Sequence, residues 1–336
     1  MPKTNETNVE QAKLKRRNTI FVEGHLKENA LQVISTDKGE AIRGHIVIAV
    51  DEHNSFKIQY FVSKRTKNGE EAKEYASLEA LLPEKTMSVA QYLQTVPTAN
   101  FANAANASSK IWAVASIEEF VSKDPEGKEK TMITYRGKRG GIKEGDTFNP
   151  RATFKCDVYL EAKKPEVNTE GEETGRINIT GLIPAYNGSM YRVNFVTNEG
   201  DASNYVNDLY EVGQTVYLEG NIVAVRQEVA RTSTKTMGWG TAAALPPKTY
   251  FNTQFVICGG STTPINEDEP GAITKKDVKD GLNVRESEAT ANYERRANKG
   301  GSAQKAEVAS TPKTVATPAS PKPAAQVKSS FDFSDF

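Results

Sequence analysis

Cations and aromatic rings crowd together at two places in this chain of 336 residues. An unpaired polynucleotide demands that pairing: positive charge along its phosphates and flat faces under its bases. The first place is KTMITYRGKRGGIK, residues 130–143, which carries Lys130, Arg136, Lys138, Arg139 and Lys143 with Tyr135 among them and no acid. Its glycines, Gly137, Gly140 and Gly141, would let the backbone approach phosphates closely. The second is RQEVARTSTKTMGWGTAAALPPK, residues 226–248, where Arg226, Arg231, Lys235 and Lys248 face a single acid, Glu228, and Trp239 lies between glycines. A tryptophan so placed suits a stacking plate contributing about 1–3 kcal/mol per base. The bland alternatives are a solvated edge strand with its turn for the first, and a ring packed on its own domain or on a neighbour for the second. Lesser candidates are Phe56, Tyr60 and Phe61 with Lys57, Lys64, Arg65 and Lys67, and further on Tyr191, Arg192 and Phe195. Phe56 and Tyr60 share one strand face, so they suit a core equally well. Trp112, in an apolar strand, reads as core. The acidic EVNTEGEE, residues 166–173, would repel a polyanion and is placed away from any such groove.

Catalytic chemistry finds little support. His25, His45 and His53 have no partnered Cys, Ser or carboxylate pattern, and the chain lacks a phosphate-cradling GxxxxGK[ST], an HExxH pair and a nucleophile elbow. Glu118 and Glu119 are adjacent on a strand and point to opposite faces. Cys156 and Cys258 have no neighbour at metal-ligand spacing and read as two buried thiols in a reducing compartment, with a strand-to-strand disulfide as the alternative. No enzyme activity, metal or cofactor is expected. No apolar run approaches the roughly 20 residues of a membrane span, and the N-terminus shows no secretory pattern, so a cytoplasmic protein is expected. Lys+Arg and Asp+Glu both number 43, so a nucleic-acid reading must rest on local clusters rather than on net charge.

The chain ends in Phe331-Asp332-Phe333-Ser334-Asp335-Phe336. Three exposed phenylalanines invite aggregation unless a partner takes them. An apolar pocket with a basic rim would accept the last ring and meet Asp332, Asp335 and the terminal carboxylate with Lys or Arg. A segment docked on the protein's own body is the alternative.

The elements that must position these groups follow from hydrophobic period. Asn18 to Lys27, Ala41 to Asp51 and Ser55 to Lys64 alternate with period two and predict strands. Ser77 to Leu93 changes to a helical period, split at Pro83. Residues 95–109 read as a loop, and strands return at Lys110 to Ser122 and Lys130 to Lys138. The second half repeats the order. Strands are expected at Thr153 to Lys163, Gly175 to Tyr186 and Met190 to Thr197, the last after an Asn187-Gly188 turn. A helix follows at Ala202 to Tyr210, then strands at Gln214 to Val229 and Thr249 to Cys258. Three strands, a helix and two strands is the element order of the OB-fold, a five-stranded, partly open barrel that binds oligonucleotides. Gly24, Gly44, Gly181 and Gly220 could bend strands at its corners. The expected class is mainly β: a basic arm over 1–17, two tandem OB-type domains over 18–148 and 149–260, a disordered linker over 261–330, and the tip at 331–336. The linker is read from composition, since 261–330 is rich in Ala, Lys, Glu, Thr, Pro and Ser.

This layout resembles bacterial and phage single-stranded DNA-binding proteins, which join an OB barrel to a Pro/Ala/Ser-rich linker and an acidic tip ending in Phe. The tip here departs from the bacterial form, which carries a run of aspartates and a proline before the last Phe. Tandem barrels match a phage version better than the one-barrel bacterial chain. The resemblance implies coating of single-stranded DNA without sequence preference during replication, recombination and repair. It also implies recruitment of helicase, primase, polymerase or nuclease through the tip. The alternative is a protein-binding adaptor or virion structural protein with β-domains and a docking tail. A mediator that anneals strands is a third reading.

Overall fold

The computed structural model describes residues 16–37, 39–66, 68–145, 147–168, 170–231 and 245–304, with backbone alone for 226–231, 245–251 and 299–304. The strands are β1 (Asn18–Asn29), β2 (Gln32–Thr36), β3 (Gly39–Ala49), β4 (Ser55–Ser63), β5 (Lys110–Lys123), β6 (Glu129–Ile142), β7 (Arg151–Val167), β8 (Glu173–Pro184), β9 (Met190–Thr197), β10 (Thr215–Arg231) and β11 (Leu245–Gly260). The helices are α1 (Lys73–Glu79), α2 (Val89–Thr95), α3 (Phe101–Ala107), α4 (Asp201–Leu209) and α5 (Lys275–Gln304). Among the described residues the protein is mainly β.

Two barrels close by the same pairing rule. In the first, β1 pairs with β3, β3 with β4 and β5 with both β1 and β6, all antiparallel, and a parallel contact of β4 with β6 (Ile58 beside Tyr135, Gln59 beside Arg136) completes the ring. In the second, β7, β8 and β9 form a meander, β10 pairs with β7 and β11, and β11 meets β9 in parallel at Phe255 beside Phe195. Both are OB-type barrels. β1 and β7 also pair with each other, from Asn18 beside Cys156 to Glu23 beside Arg151, so one sheet runs through both. Period two fills the interiors: Ile20, Val22, Ile46, Ile48, Phe56, Ile58, Ile111 and Ala113 in barrel 1, and Phe154, Phe195 and Phe255 in mutual ring contact at 5.3–5.7 Å in barrel 2.

Glycines permit the tight closure at specific points. Gly44 has φ +138°, and a Cβ there would lie 2.0 Å from the Ala30 carbonyl oxygen. At Gly220 the Val256 oxygen would be 1.9 Å away. Gly181, expected at a corner, lies opposite the register shift of β7 between Leu160 and Ala162, and a Cβ there would come within 3.0 Å of the Phe195 ring.

The helical segment differs in detail from its expected form. α1 begins at Lys73, and Ser77 donates to the Glu74 carbonyl rather than capping a helix start. Pro83 does split the stretch, and α2 starts at a capping box of Ser88 and Gln91. The loop expected over 95–109 contains α3, capped by Asn100, whose side chain accepts from the Asn103 N–H at 2.9 Å. Alanines in a polar run hid it. β2 was not foreseen either.

The unfolded linker expected from residue 261 is corrected over 261–293. There α5 begins at a Thr274–Asp277 cap and lays Val278, Leu282, Arg285 and Ala289, spaced four, three and four, against the barrels. A sparse apolar stripe among many charges gave a composition that looked disordered. Both barrels and α5 as far as Tyr293 belong to one compact unit. No described helix is long and apolar enough to cross a membrane.

The two cysteines are free thiols. Cys156 is buried, which pushes its thiol up to about 12. Cys258 is exposed, contrary to the expectation of two buried thiols, because its position on β11 faces outward beside Asn221.

Candidate nucleic-acid interface

β6 is the centre of the site. Its register with β5 slips between Val114 and Ala115: Arg139 lies beside Val114, and Gly137 beside Ala115. The bulge leaves Lys138 as the extra residue and turns two consecutive cations, Lys138 and Arg139, outward. Gly137 and Gly140 face inward. A Cβ on Gly137 would lie 2.1 Å from the Tyr60 ring, and one on Gly140 3.0 Å from the Tyr60 hydroxyl; Gly141 lies under the Trp112 ring. These glycines therefore make room for rings rather than for phosphates, which corrects their expected part. Gly137→Ala is expected to overpack the barrel and lower its unfolding free energy by about 1–3 kcal/mol, read by urea denaturation.

The predicted cluster divides. Arg136 and Lys130 are exposed, and Arg136 lies 3.6 Å from Glu118. Lys138 donates to the Asn18 carbonyl at 3.0 Å. Arg139 is exposed and has no ion-pair partner among the described residues. Tyr135 is a correction: it packs on the core with its ring centroid 5.8 Å from that of Phe56, and burial raises its phenol. It faces inward because it alternates with Arg136. Lys143 is half-buried and lies 3.8 Å from Glu23.

Across the parallel contact, β4 sends Phe56 and Tyr60 into the core and Lys57, Gln59 and Phe61 outward, with Phe61 51% exposed. Beside them on β3 are Arg43, opposite Phe61, and His45, opposite Gln59. Arg43 has no ion-pair partner among the described residues. His45 is held below its usual value, first by partial burial and then by Lys57, with Glu28 opposing. Lys64 and Arg65 lie past the end of β4 and do not join this row. Lys64 pairs with Glu40 at 2.6 Å, and Arg65 reaches the Gly69 carbonyl.

On the other side of β6 the face continues over β5 and β1. Trp112 is on the outer face, half-buried, which corrects its reading as core; its neighbours Ile111 and Ala113 are the inward residues. Phe21 is beside Val114, with the Arg151 guanidinium 5.4 Å from its ring. Phe148 meets His25 edge-on, and the Lys110 ammonium is 5.1 Å from the Phe148 ring. Glu23 anchors this end. Its carboxylate is 1% exposed, accepts the Asn149 N–H at 2.9 Å, and faces both Lys143 and Arg151 at 3.8 Å, leaving the cluster net positive. Phe21, Trp112, Phe148, Arg43, Lys110 and Arg151 were missed as a set. The available signal was parity: a large ring out of phase with an apolar period-two run belongs on the outer face.

Among the described side chains, the strands of the second barrel show no comparable row. Arg192 forks onto Glu161 at 2.6 and 2.8 Å, Tyr191 packs on the core, and Phe195 is buried. Arg226 and Arg231 lie on the described backbone of β10. Lys235 and Trp239 lie outside the described residues, as do Lys67, residues 1–15 of the basic arm, and the tip residues Phe331, Asp332, Phe333, Asp335 and Phe336. Of the acidic run, residues 166–168 and 170–173 lie at the end of the β7–β8 hairpin of barrel 2. No cluster of His, Cys, Asp and Glu suited to a metal occurs among the described residues.

Among solved structures, the single-stranded DNA-binding protein from Thermus aquaticus is similar. A deletion mutant aligns with TM-score 0.40 and 10% identity over 76% of this chain and 98% of its own. The wild type aligns with TM-score 0.39 and 10% identity over 73% of this chain and 92% of its own. No curated protein matches. The YorF family profile matches residues 16–295, and the chain therefore belongs to the YorF family.

Proposed function

We propose that this protein binds single-stranded DNA without sequence preference on the outer face of barrel 1, as a non-enzymatic, phage-type coating protein in replication, recombination and repair. One observation carries the reading: the outer face of an OB-type barrel carries exposed Phe61 and half-buried Trp112 and Phe21 among Arg43, Arg136, Lys138, Arg139 and Arg151. Rings on a sheet take bases in any order, and the cations track the phosphates. The zero net charge is no obstacle, because the reading rests on this local cluster rather than on the net charge. Fluorescence anisotropy with labelled oligo-dT tests it; saturable binding at low salt is expected, and its absence would reject the reading.

Affinity should rise on mild acidification. His45 is held neutral by burial and Lys57, and bound phosphates would favour its imidazolium. Binding thus takes up a proton, strengthening by at most about tenfold per pH unit below neutrality. In His45→Gln this rise should shrink; an identical pH profile would remove His45 from the interface.

The tip Phe331–Phe336 is proposed to recruit replication proteins. Its deletion is expected to leave or raise DNA affinity and abolish capture of the partner, as read by pull-down. Unchanged capture would dismiss the tip.

A further inference from the structure

We infer that DNA lies on the β3–β4 face of barrel 1 and leaves the corresponding β8–β9 face of barrel 2 untouched, because α5 seats on the hairpin end of that second face and the arginines on the rest of it are already paired. This rests on the binding reading above and assigns the two barrels different work. In an OB barrel the second and third strands form the face that takes an oligonucleotide. Here those strands are β3 and β4 in one barrel, β8 and β9 in the other.

The two faces differ in what they offer. On the first, Arg43, Lys57, Gln59 and Phe61 are exposed. On the second, the outward Leu182 and Met190 are 0% and 3% exposed, clustered with Tyr159, Ile273, Val278 and Leu282. The helix comes so close that a Cβ on Gly281 would lie 2.6 Å from Met190 Cγ and 3.2 Å from the Gly188 carbonyl oxygen. Further contacts pin it. Asn187 at the β8–β9 turn donates to Glu288, Asn292 donates to the Val121 carbonyl at 2.7 Å, and Lys123 pairs with Glu286. The Arg285 guanidinium is buried between Glu119 and Glu129 of barrel 1.

Beyond the helix, the β8–β9 face holds Asn178, Thr180 and Asn194. Its two arginines are committed, Arg176 to Glu166 at 3.4 Å and Arg192 to Glu161 at 2.6 Å. A phosphate chain arriving there would find no uncommitted cation on either strand, and α5 carboxylates at the hairpin.

Two matched positions test this. Phe61 and Asn194 are outward residues on the third strand of each barrel, and both are exposed. In the full-length chain, p-benzoylphenylalanine is introduced at one position or the other and irradiated with labelled oligo-dT. A covalent adduct from position 61 and none from position 194 is expected. In parallel, Arg43→Glu should weaken oligo-dT binding at least tenfold and Asn194→Glu should leave it unchanged. An adduct from position 194, or equal weakening by both substitutions, would overturn the division of labour while sparing the binding reading. Failure of the unsubstituted chain to retain oligo-dT would instead overturn that reading.

Discussion

The triple variant Arg43→Glu, Arg139→Glu, Phe61→Ala is expected to bind oligo-dT about a thousandfold more weakly than the unsubstituted protein while folding normally. Loss of one stacking ring accounts for about 1–3 kcal/mol. The two reversed charges leave two phosphates without their cations and add repulsion. The slope of log affinity against log salt should become shallower by roughly 0.7 for each phosphate that is no longer neutralised. Folding should be spared, because all three side chains are exposed and neither arginine has an ion-pair partner among the described residues. An unchanged urea midpoint beside the weakened binding separates interface from scaffold. Unchanged affinity would move the site off this face.

The second large effect concerns stability. Arg285→Ala is expected to cost about 3–5 kcal/mol, because it strands a buried carboxylate without its cation. The Arg285 and Glu119 side chains are 5% and 2% exposed, with two fork contacts at 2.8 and 3.0 Å, and the same guanidinium holds Glu129 at 2.8 Å. Glu119 also accepts the Arg192 backbone N–H at 3.0 Å. The double variant Arg285→Met, Glu119→Gln keeps an acceptor for that N–H and removes both buried charges, so it should recover most of the loss. Because these charges join α5 to the β5–β6 hairpin, Arg285→Ala should also accelerate hydrogen exchange in α5. A loss below about 1 kcal/mol, the range of surface pairs, would show that the node does not hold the helix.

Much of this architecture could be read from period and order alone. The alternation of Ile20 and Val22, or of Phe56, Ile58 and Tyr60, placed strands and their inward faces. The repeat of three strands, a helix and two strands placed both barrels. Side-chain partners were not readable in this way. Tyr135 stands among cations in sequence, yet alternation turns it inward onto Phe56. Gly137 and Gly140 resemble a phosphate loop, but their space is filled by Tyr60 from a strand about eighty residues earlier. Trp112 looked apolar by company, although its parity put it outside. The helix α5 was hidden because its stripe includes Arg285, a charge that is buried only because Glu119 and Glu129 come to meet it. Such long-range pairings leave no local signature.

The most direct measurement is an anisotropy titration of the full-length chain with labelled oligo-dT and with duplex of equal length, over a series of salt concentrations. Saturable binding of the single strand, weakening steeply as salt rises and much tighter than binding of the duplex, is the predicted result. Equal binding of both forms, or none of the single strand at the lowest salt, would contradict a face built for unpaired bases.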